Sequence, residues 1–455
     1  VALDGGRCEY VGPELGSMDR GKMSNIVYGG GPSAVRAAAV LSDSKLLEPT
    51  AYLGGIVEPR MPEGTGLVPA SGNHEKLKRL YGQTPASKSD YVRALWARGR
   101  STTLPINPIS VKQVVNNFEW GALMAGHLRL RTERLVRAIR GGGNEERSYR
   151  DWVIHRFGEG AYRGLHAPYA RVRWGEPSEI SHAFAERFHG GTFLETVSLG
   201  STPAEGWAAL TDSIADYSLN SEIKRIEFGE NQISHVVTQN GEEFEASTLW
   251  YAGSIPKLYT ILPEEVSSSL EADMKRLECR DRIQIALKAK IELGSIPDEL
   301  HIIGGGSSIF MATKLSSRLI GGEERLLLHL SQPSHRKVSD EQLVSEVLGM
   351  CSSLGLPHLK PDDAWVRRYE DYDPAWLGAW HPVHTRVMLK LEQLGIRLIG
   401  RSGAYRHMDP GEELNLAFHA NSSESVHEST RLFGDTPVIH DYDTDNSKLD
   451  SFVMR

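Results

Sequence analysis

Between Ile26 and Leu41 the chain reads "IVYGGGPSAVRAAAVL", a short apolar run, three glycines, and then small residues at helical spacing. Asn25 to Tyr28 suits a buried strand, and Pro32 to Leu41 suits a helix whose alanines let it lie close to a sheet. "KLLEP", Lys45 to Pro49, supplies a second short strand, so the unit is strand, helix, strand. Such a unit opens a doubly wound α/β domain. Gly29, Gly31 and Ala34 match the G-x-G-x-x-G/A spacing, within the continuous run Gly29, Gly30, Gly31, Pro32, Ser33, Ala34. In that pattern the first glycine makes the turn, the second admits a diphosphate to the backbone, and the small third residue permits close helix packing. The helix N-terminus would face the diphosphate, and Glu48, ending the second strand, would accept the ribose hydroxyls. Gly141 to Gly143 and Gly304 to Gly306 are also glycine runs, without that context.

A chain of 455 residues is long enough for two domains of ordinary size. Its net charge of −8 is spread along the sequence with no basic stripe, which argues against nucleic acid as a partner. Cys8, Cys279 and Cys351 lie far apart, with no paired-cysteine spacing, so neither structural zinc nor a disulfide framework is expected. His381 and His384 do not make a metal site, since Pro382 is read as interrupting a helix there and no third ligand is apparent. No apolar run approaches the roughly 18 residues of a membrane helix, and the expected location is the cytoplasm. Residues 1–22 have no periodicity and contain "GSM", which matches a cloning scar; they are read as an extension, vector-derived or natural.

Further along, residues 75–190 are richer in helical patterns, arginines and aromatics, interrupted by the extended "TTLPINP" at Thr102 to Pro108. From Glu222 the pattern alternates through "EIKRIEF", "QISHVVTQ" and "EEFEASTLWYA", a three-stranded meander with Asn240 and Gly241 both at positive φ in a tight hairpin. "RIQIALKAKI" and "RLLLHL" read as strands of an antiparallel sheet. In "DEQLVSEVLGMCSSLGLP" the residues Leu343, Val344, Val347, Leu348 and Cys351 share one helix face, stopped by Gly355 and Pro357.

Several segments, in order, resemble FAD-dependent oxidoreductases of the amine oxidase and protoporphyrinogen oxidase superfamily. They are "LLEPTAYLGG" with its paired Gly54 and Gly55, "ASGNHEKL" with Gly72, Asn73 and His74, and "LIGRSGAYRHMDPGEEL" from Leu398 to Leu414. "DWVIHRFGEGAYRGLHAPYARVRWG", "YAGSIPKL" and "HPVHT" are similar to segments of the branch that contains UDP-galactopyranose mutase. The resemblance implies a Rossmann-type FAD-binding domain with a β-meander, interleaved with an α+β substrate domain of antiparallel sheet and helices. The FAD domain would comprise 23–80, 192–256 and 396–425, the substrate domain 81–191 and 257–395, and the tail 426–455. It also implies that FAD meets Gly29 to Ala34, Glu48, Gly54, Gly55, Gly72, Asn73, His74, Ile223, Gly400, Arg401, Met408 and Asp409. Asp409, Pro410 and Glu412 have the chemistry of a helix start, whose positive end would favour a reduced flavin.

His74, Arg401 and His381 are the catalytic candidates, with His384 and His407 as further polar neighbours of flavin or substrate. Two departures from the pattern stand out. Ile56 occupies a position that is basic in many relatives, and "TVSLGSTPAEGW", Thr196 to Trp207, differs from the branch's substrate-side loop. The expected activity is oxidation of a small or medium metabolite, an amine or C–H donor, by hydride transfer to flavin N5. The alternatives are a redox-neutral, mutase-like reaction on a sugar nucleotide, and a non-catalytic FAD-binding partner subunit. A nicotinamide-only dehydrogenase would not explain the segment around Gly400 to Asp409. A small-molecule substrate is the expected partner, and homo- and hetero-oligomers both remain open.

Overall fold

The computed structural model describes most of the chain between residues 25 and 407 together with Glu413; residues 1–24, 56–68, 72–92, 104–111, 113–119, 133–147, 190–195, 199–210 and 414–455, with shorter segments among the rest, lie outside the described residues. Its elements run β1 (Asn25–Tyr28), α1 (Pro32–Val40), β2 (Ser44–Leu47), β3 (Pro69–Ser71), β4 (Arg93–Ala97), β5 (Arg100–Thr103), α2 (Tyr149–Ala161), a π-helical turn (Tyr162–His166), α3 (Ala167–Arg173), α4 (His182–His189), β6 (Thr196–Ser198) and β7 (Tyr217–Ser218). They continue with β8 (Ile223–Phe228), β9 (Ile233–Thr238), β10 (Glu243–Glu245), β11 (Thr248–Tyr251), α5 (Ile255–Ile261), α6 (Glu264–Met274), β12 (Cys279–Ala289), β13 (Glu299–Ile302), β14 (Ile309–Leu315), β15 (Arg325–Pro333), α7 (Asp340–Ser353), β16 (Leu359–Pro374), α8 (Trp380–Gln393), β17 (Ile396–Leu398) and α9 (Gly400–Gly403).

The first sheet is parallel throughout, in the order β17, β11, β1, β2, β7. Its central strand β1 is short because the chain must turn at once into α1, whose Ala34, Ala37 and Ala38 are buried against it with Val27, Leu46 and Trp250. α1 ends at Leu41, and the Ser44 hydroxyl donates to the carbonyls of Ala38 and Leu41 that the helix leaves over. All five strands come from residues 25–47, 217–251 and 396–398, so distant parts of the chain meet in one sheet.

A three-stranded antiparallel meander, β8, β9 and β10, stands beside it. The third alternating segment of the sequence divides. Glu243–Glu245 stays in the meander, whereas Thr248–Tyr251 crosses into the parallel sheet between β17 and β1. "LWY" is buried on both faces, which suits a central parallel strand better than a half-solvated hairpin. In the turn before β10 only Gly241 has positive φ, at 83°; the Thr238 carbonyl accepts from the Gly241 N–H, and Asn240 does not need the left-handed region.

The larger, mixed sheet has the order β16, β12, β15, β14, β13, β4, β5. Period-two alternation gives it two unlike faces. Ile283, Ile285, Leu287, Leu300, Ile302, Leu326, Leu328 and Leu330 point to one side, where they pack with Leu343, Val344, Val347 and Cys351 of α7. Ser339 caps that helix by accepting from the Gln342 N–H, and Gly355 at φ 68° turns the chain out of it. The opposite face carries Arg282, Gln284, Glu299, His301, Thr313, Arg325, His329 and Ser331, all buried. In α8, Pro382 falls in the first turn of a continuous helix rather than breaking one, because a first-turn residue needs no intrahelical acceptor for an N–H. Among the described residues no helix is long and apolar enough to cross a membrane.

α7 yields a paired prediction. Leu343→Ala removes a buried contact with the sheet and should cost about 2–5 kcal/mol. Gly349→Ala, where an added Cβ meets nothing within 4 Å, should stabilise by roughly 0.5–1 kcal/mol. Urea unfolding of the two variants checks both signs.

Candidate functional site

The corner where β1 turns into α1 is built on close backbone approaches. Gly29 has φ 107°, and a Cβ there would lie 3.2 Å from that of Ala252 at the end of β11. At Gly30 a Cβ would overlap the Glu48 carboxylate, 2.8 Å from its Cδ. Gly31 differs: nothing lies within 4 Å of its Cβ position, so the backbone there faces open space. α1 then starts with Pro32, and its N-cap Gly31 has no side chain to satisfy the N–H groups of Ser33 and Ala34. Two uncapped N–H groups beside an open glycine make a cradle for an anion.

Glu48 is buried at the end of β2. Its Oε1 accepts from the Thr50 N–H at 2.9 Å and from the Thr50 hydroxyl at 2.5 Å, and its other oxygen lies against Gly30. Burial raises its pKa, against the two Thr50 bonds and the charges of Arg367 and Lys257, which lower it. The Glu48 N–H donates to the Ser218 carbonyl and its carbonyl accepts from the Ser221 N–H, two residues before β8 begins at Ile223. The segment after Glu48 folds back over the turn: Gly54 donates to the Gly30 carbonyl at 2.7 Å, and a Cβ on Gly55 would stand 3.3 Å from the Gly31 Cα.

The far end of the chain closes the same corner. Gly400, at φ 72°, has its Cβ position 3.4 Å from Ser33, and a Cβ on Gly403 would run into the Tyr251 carbonyl. The Ser33 hydroxyl donates to the Glu413 carbonyl at 3.2 Å. Tyr405 holds the return segment in place: it is buried at φ 52°, its hydroxyl donates to the carbonyls of Ala375 and Glu278, and its own carbonyl accepts from the Trp376 indole.

Next to this corner lies the polar face of the mixed sheet. Asp373 on β16 takes two bonds from Arg282, at 2.8 and 2.9 Å, and one from Arg401 at 3.0 Å. Burial alone would raise the Asp373 pKa, but Arg282 and Arg401 bring it down to about 2. The rings of Tyr372 and Phe310 lie against these guanidiniums, and Arg173 of α3 joins them over Phe310 at 4.8 Å. Arg173 also donates to the Tyr169 hydroxyl at 2.8 Å. From there a line of bonds runs to His301 Nδ1 at 2.9 Å and from His301 Nε2 to Glu299 at 2.8 Å. In the neutral imidazole, Nε2–H is given to Glu299, which leaves Nδ1 to accept from the Tyr169 hydroxyl. His329, between Gln284 and Thr313, is held neutral, its pKa lowered to about 3 by burial and by the charge of Arg282.

The structure thus gathers Gly29 to Ala34, Glu48, Gly54, Gly55, Ile223, Gly400 and Arg401 around one corner. Arg401 is tied to Asp373, and His407 stands beside it, 3.5 Å from Nη1, with its pKa pushed down by burial. His381 is exposed on the first turn of α8, edge-on to Trp380, away from this cluster's bonds. His384 is buried against Tyr405 and Trp380 with its Nε2 unpartnered, and burial lowers its pKa to about 3. Gly72, Asn73, His74, Met408, Asp409 and the expected helix start at Asp409 lie outside the described residues. Sequence reasoning missed Arg173, Arg282, Asp373 and the line from Tyr169 to Glu299. A signal was present: in "RIQ" and "ELH" charged or polar residues flank an apolar one, and in "LLLHLS" His329 and Ser331 alternate with Leu328 and Leu330.

Asp373 should contribute an acid-sensitive part of the stability. Its folded pKa of about 2 lies below the roughly 3.9 of an unfolded aspartate, so the contribution is full above pH 5 and is lost as pH falls toward 2. Asp373→Asn should cost roughly 3–5 kcal/mol at pH 7 by leaving Arg282 without its carboxylate. The gap to wild type should narrow between pH 5 and 2, as read from urea midpoints.

No protein-family model matches the sequence, and no curated protein does. Solved structures do match in fold. A reduced UDP-galactopyranose mutase superposes with a TM-score of 0.72 at 15% identity, over 92% of this chain and 97% of that one. A protein assigned as a protoporphyrinogen oxidase, from Exiguobacterium sp. 255-15, gives 0.64 at 15% identity over 90% and 99% of the two chains. A fatty acid isomerase from P. acnes that produces CLA gives 0.61 at 13% identity over 88% and 99%. The chain has the fold shared by these three proteins, the fold that the resemblance in its sequence implied.

Proposed function

We propose that this protein holds FAD at the corner of β1, α1 and the return segment, and that it is an FAD-dependent oxidoreductase acting on a small or medium metabolite. The observation that carries the reading is the cradle itself. An open Gly31, an uncapped α1 and a buried Glu48 with one oxygen toward the turn suit a diphosphate and a ribose at the spacing of a dinucleotide. Gly29 to Ala34 would surround the diphosphate, Glu48 would accept from the ribose, and Gly54, Gly55 and Gly400 would leave room for backbone contact. When bound, the flavin supplies a hydride acceptor at N5 for a donor carbon.

The chain's own groups do the rest. Arg173, Arg282 and Arg401 present guanidinium groups on a buried face, where low dielectric strengthens their hold on an anionic group. Tyr169, with His301 and Glu299 behind it, keeps a phenolic proton at a fixed place, since Arg173 and His301 together determine where it points. The same guanidinium groups favour a second reading, a redox-neutral enzyme acting on a sugar nucleotide, because a phosphorylated substrate would meet them well. The similarity in fold to UDP-galactopyranose mutase agrees with it.

Glu48→Gln should weaken FAD binding by roughly 10- to 100-fold, as expected for losing a charge-assisted hydrogen bond. Isothermal titration of the apoprotein checks this. An anaerobic screen separates the catalytic readings. Bleaching of bound FAD by an amine or C–H donor supports the oxidoreductase; turnover of a sugar nucleotide only after dithionite, with no net electron flow, supports the second reading. Full occupancy with neither would leave a non-catalytic partner subunit.

A further inference from the structure

Resting on the reading that FAD binds at this corner, we infer that Arg367, on the edge strand β16, is a binding residue for the cofactor's diphosphate. The backbone places it there. In the register of β16 against β12, Arg367 lies opposite Gln284 and Tyr369 opposite Arg282, so both residues belong to the polar face of the sheet. That face touches the loop after Glu48, where the Tyr369 hydroxyl donates to the Gly55 carbonyl at 3.5 Å. The Arg367 guanidinium lies over the Tyr52 ring at 4.7 Å and over the Tyr369 ring at 5.0 Å. A tyrosine of the loop and a tyrosine of the strand thus hold it at the glycine corner.

What its donors do separates Arg367 from the other cations nearby. Among the described residues it makes no hydrogen bond and no ion pair. Arg368 beside it is bound to Asp340 and to the Val338 carbonyl. Lys257, the other cation whose charge reaches Glu48, is paired with Glu222 at 2.5 Å. Arg282 and Arg401 are bound to Asp373. A guanidinium stacked on aromatic rings keeps its in-plane N–H fork available, and that fork matches two oxygens of a phosphate.

The charge balance of the corner gives that fork a purpose. Gly29 to Ala34 and Thr50 to Gly55 contain no lysine or arginine, Glu48 brings negative charge, and Arg401, 4.0 Å from the Glu413 carboxylate, is already shared between Glu413 and Asp373. A diphosphate adds two more negative charges. Helix N–H groups offset only part of that, and Arg367 is the cation at this loop with its donors unspent.

FAD titration of the apoprotein at low and high salt, for wild type, Arg367→Gln and Arg367→Lys, with thermal unfolding of each apoprotein, tests the inference. Arg367→Gln should raise Kd roughly 10- to 100-fold at low salt, with a smaller loss at high salt and an unchanged apoprotein Tm. Arg367→Lys should fall between the two, keeping the charge without the planar fork. A Kd within twofold of wild type for Arg367→Gln would overturn the assignment. So would a loss equal at both salt concentrations and accompanied by a lower Tm, the mark of a clamp between Tyr52 and Tyr369. Wild type that takes up no FAD would instead refute the cofactor reading itself, a result distinct from either.

Discussion

The contact between Gly29 and Ala252 determines how close β1 and β11 can bring their C-terminal ends, and the glycine corner depends on that separation. With only 3.2 Å between a Cβ on residue 29 and that of Ala252, a side chain there would push the turn away from the sheet. A Cβ on Gly30 would meet the Glu48 carboxylate, and one on Gly403 the Tyr251 carbonyl, so three glycines stand where an added side chain has no room. Gly31 is the exception, open toward the space these contacts enclose. The cradle is therefore an outcome of packing, and the same glycines that permit the fold leave the site room.

A second constraint is the double character of the mixed sheet. One face is an apolar core under α7, which fixes the register of β12, β13 and β15. With the register fixed, the other residues of each strand face the parallel-sheet side whether or not they are apolar. Arg282, His301 and His329 are buried by geometry, and each then needs a partner: Asp373, Glu299 and Tyr169, Thr313 and Gln284. Burial of this kind costs free energy unless the network is complete, which is a reason to look for function there.

How much of this could be read from the sequence differs element by element. The strand, glycine turn and helix from Asn25 to Val40 were legible because one periodic pattern and one spacing act locally. So was the apolar face of α7. The fate of "TLWY" was not, since a short buried strand carries no mark of the sheet that will accept it, and β11 joins strands from both ends of the chain. Pro382 reads in the sequence as interrupting a helix, whereas α8 starts at Trp380 and the proline falls in its first turn, where no local residue marks the start. The role of Asp373 and Arg173 could not be read either. Their pairing depends on tertiary contacts between β16, α3 and the return segment, and no local spacing records it. The histidines show the limit from the other side: His381, a catalytic candidate by sequence, is exposed, whereas His384, expected as a polar neighbour of flavin or substrate, is buried against aromatic rings.

The proposed function depends on a resident flavin at the Gly29 to Ala34 turn. The visible absorption spectrum of the purified protein after incubation with FAD and removal of excess by gel filtration addresses it directly. The paired visible bands of an oxidised, protein-bound flavin at near one per chain are the predicted result, together with their loss in Gly31→Val, whose side chain would fill the open space of the cradle. A colourless wild-type protein after the same treatment would contradict it.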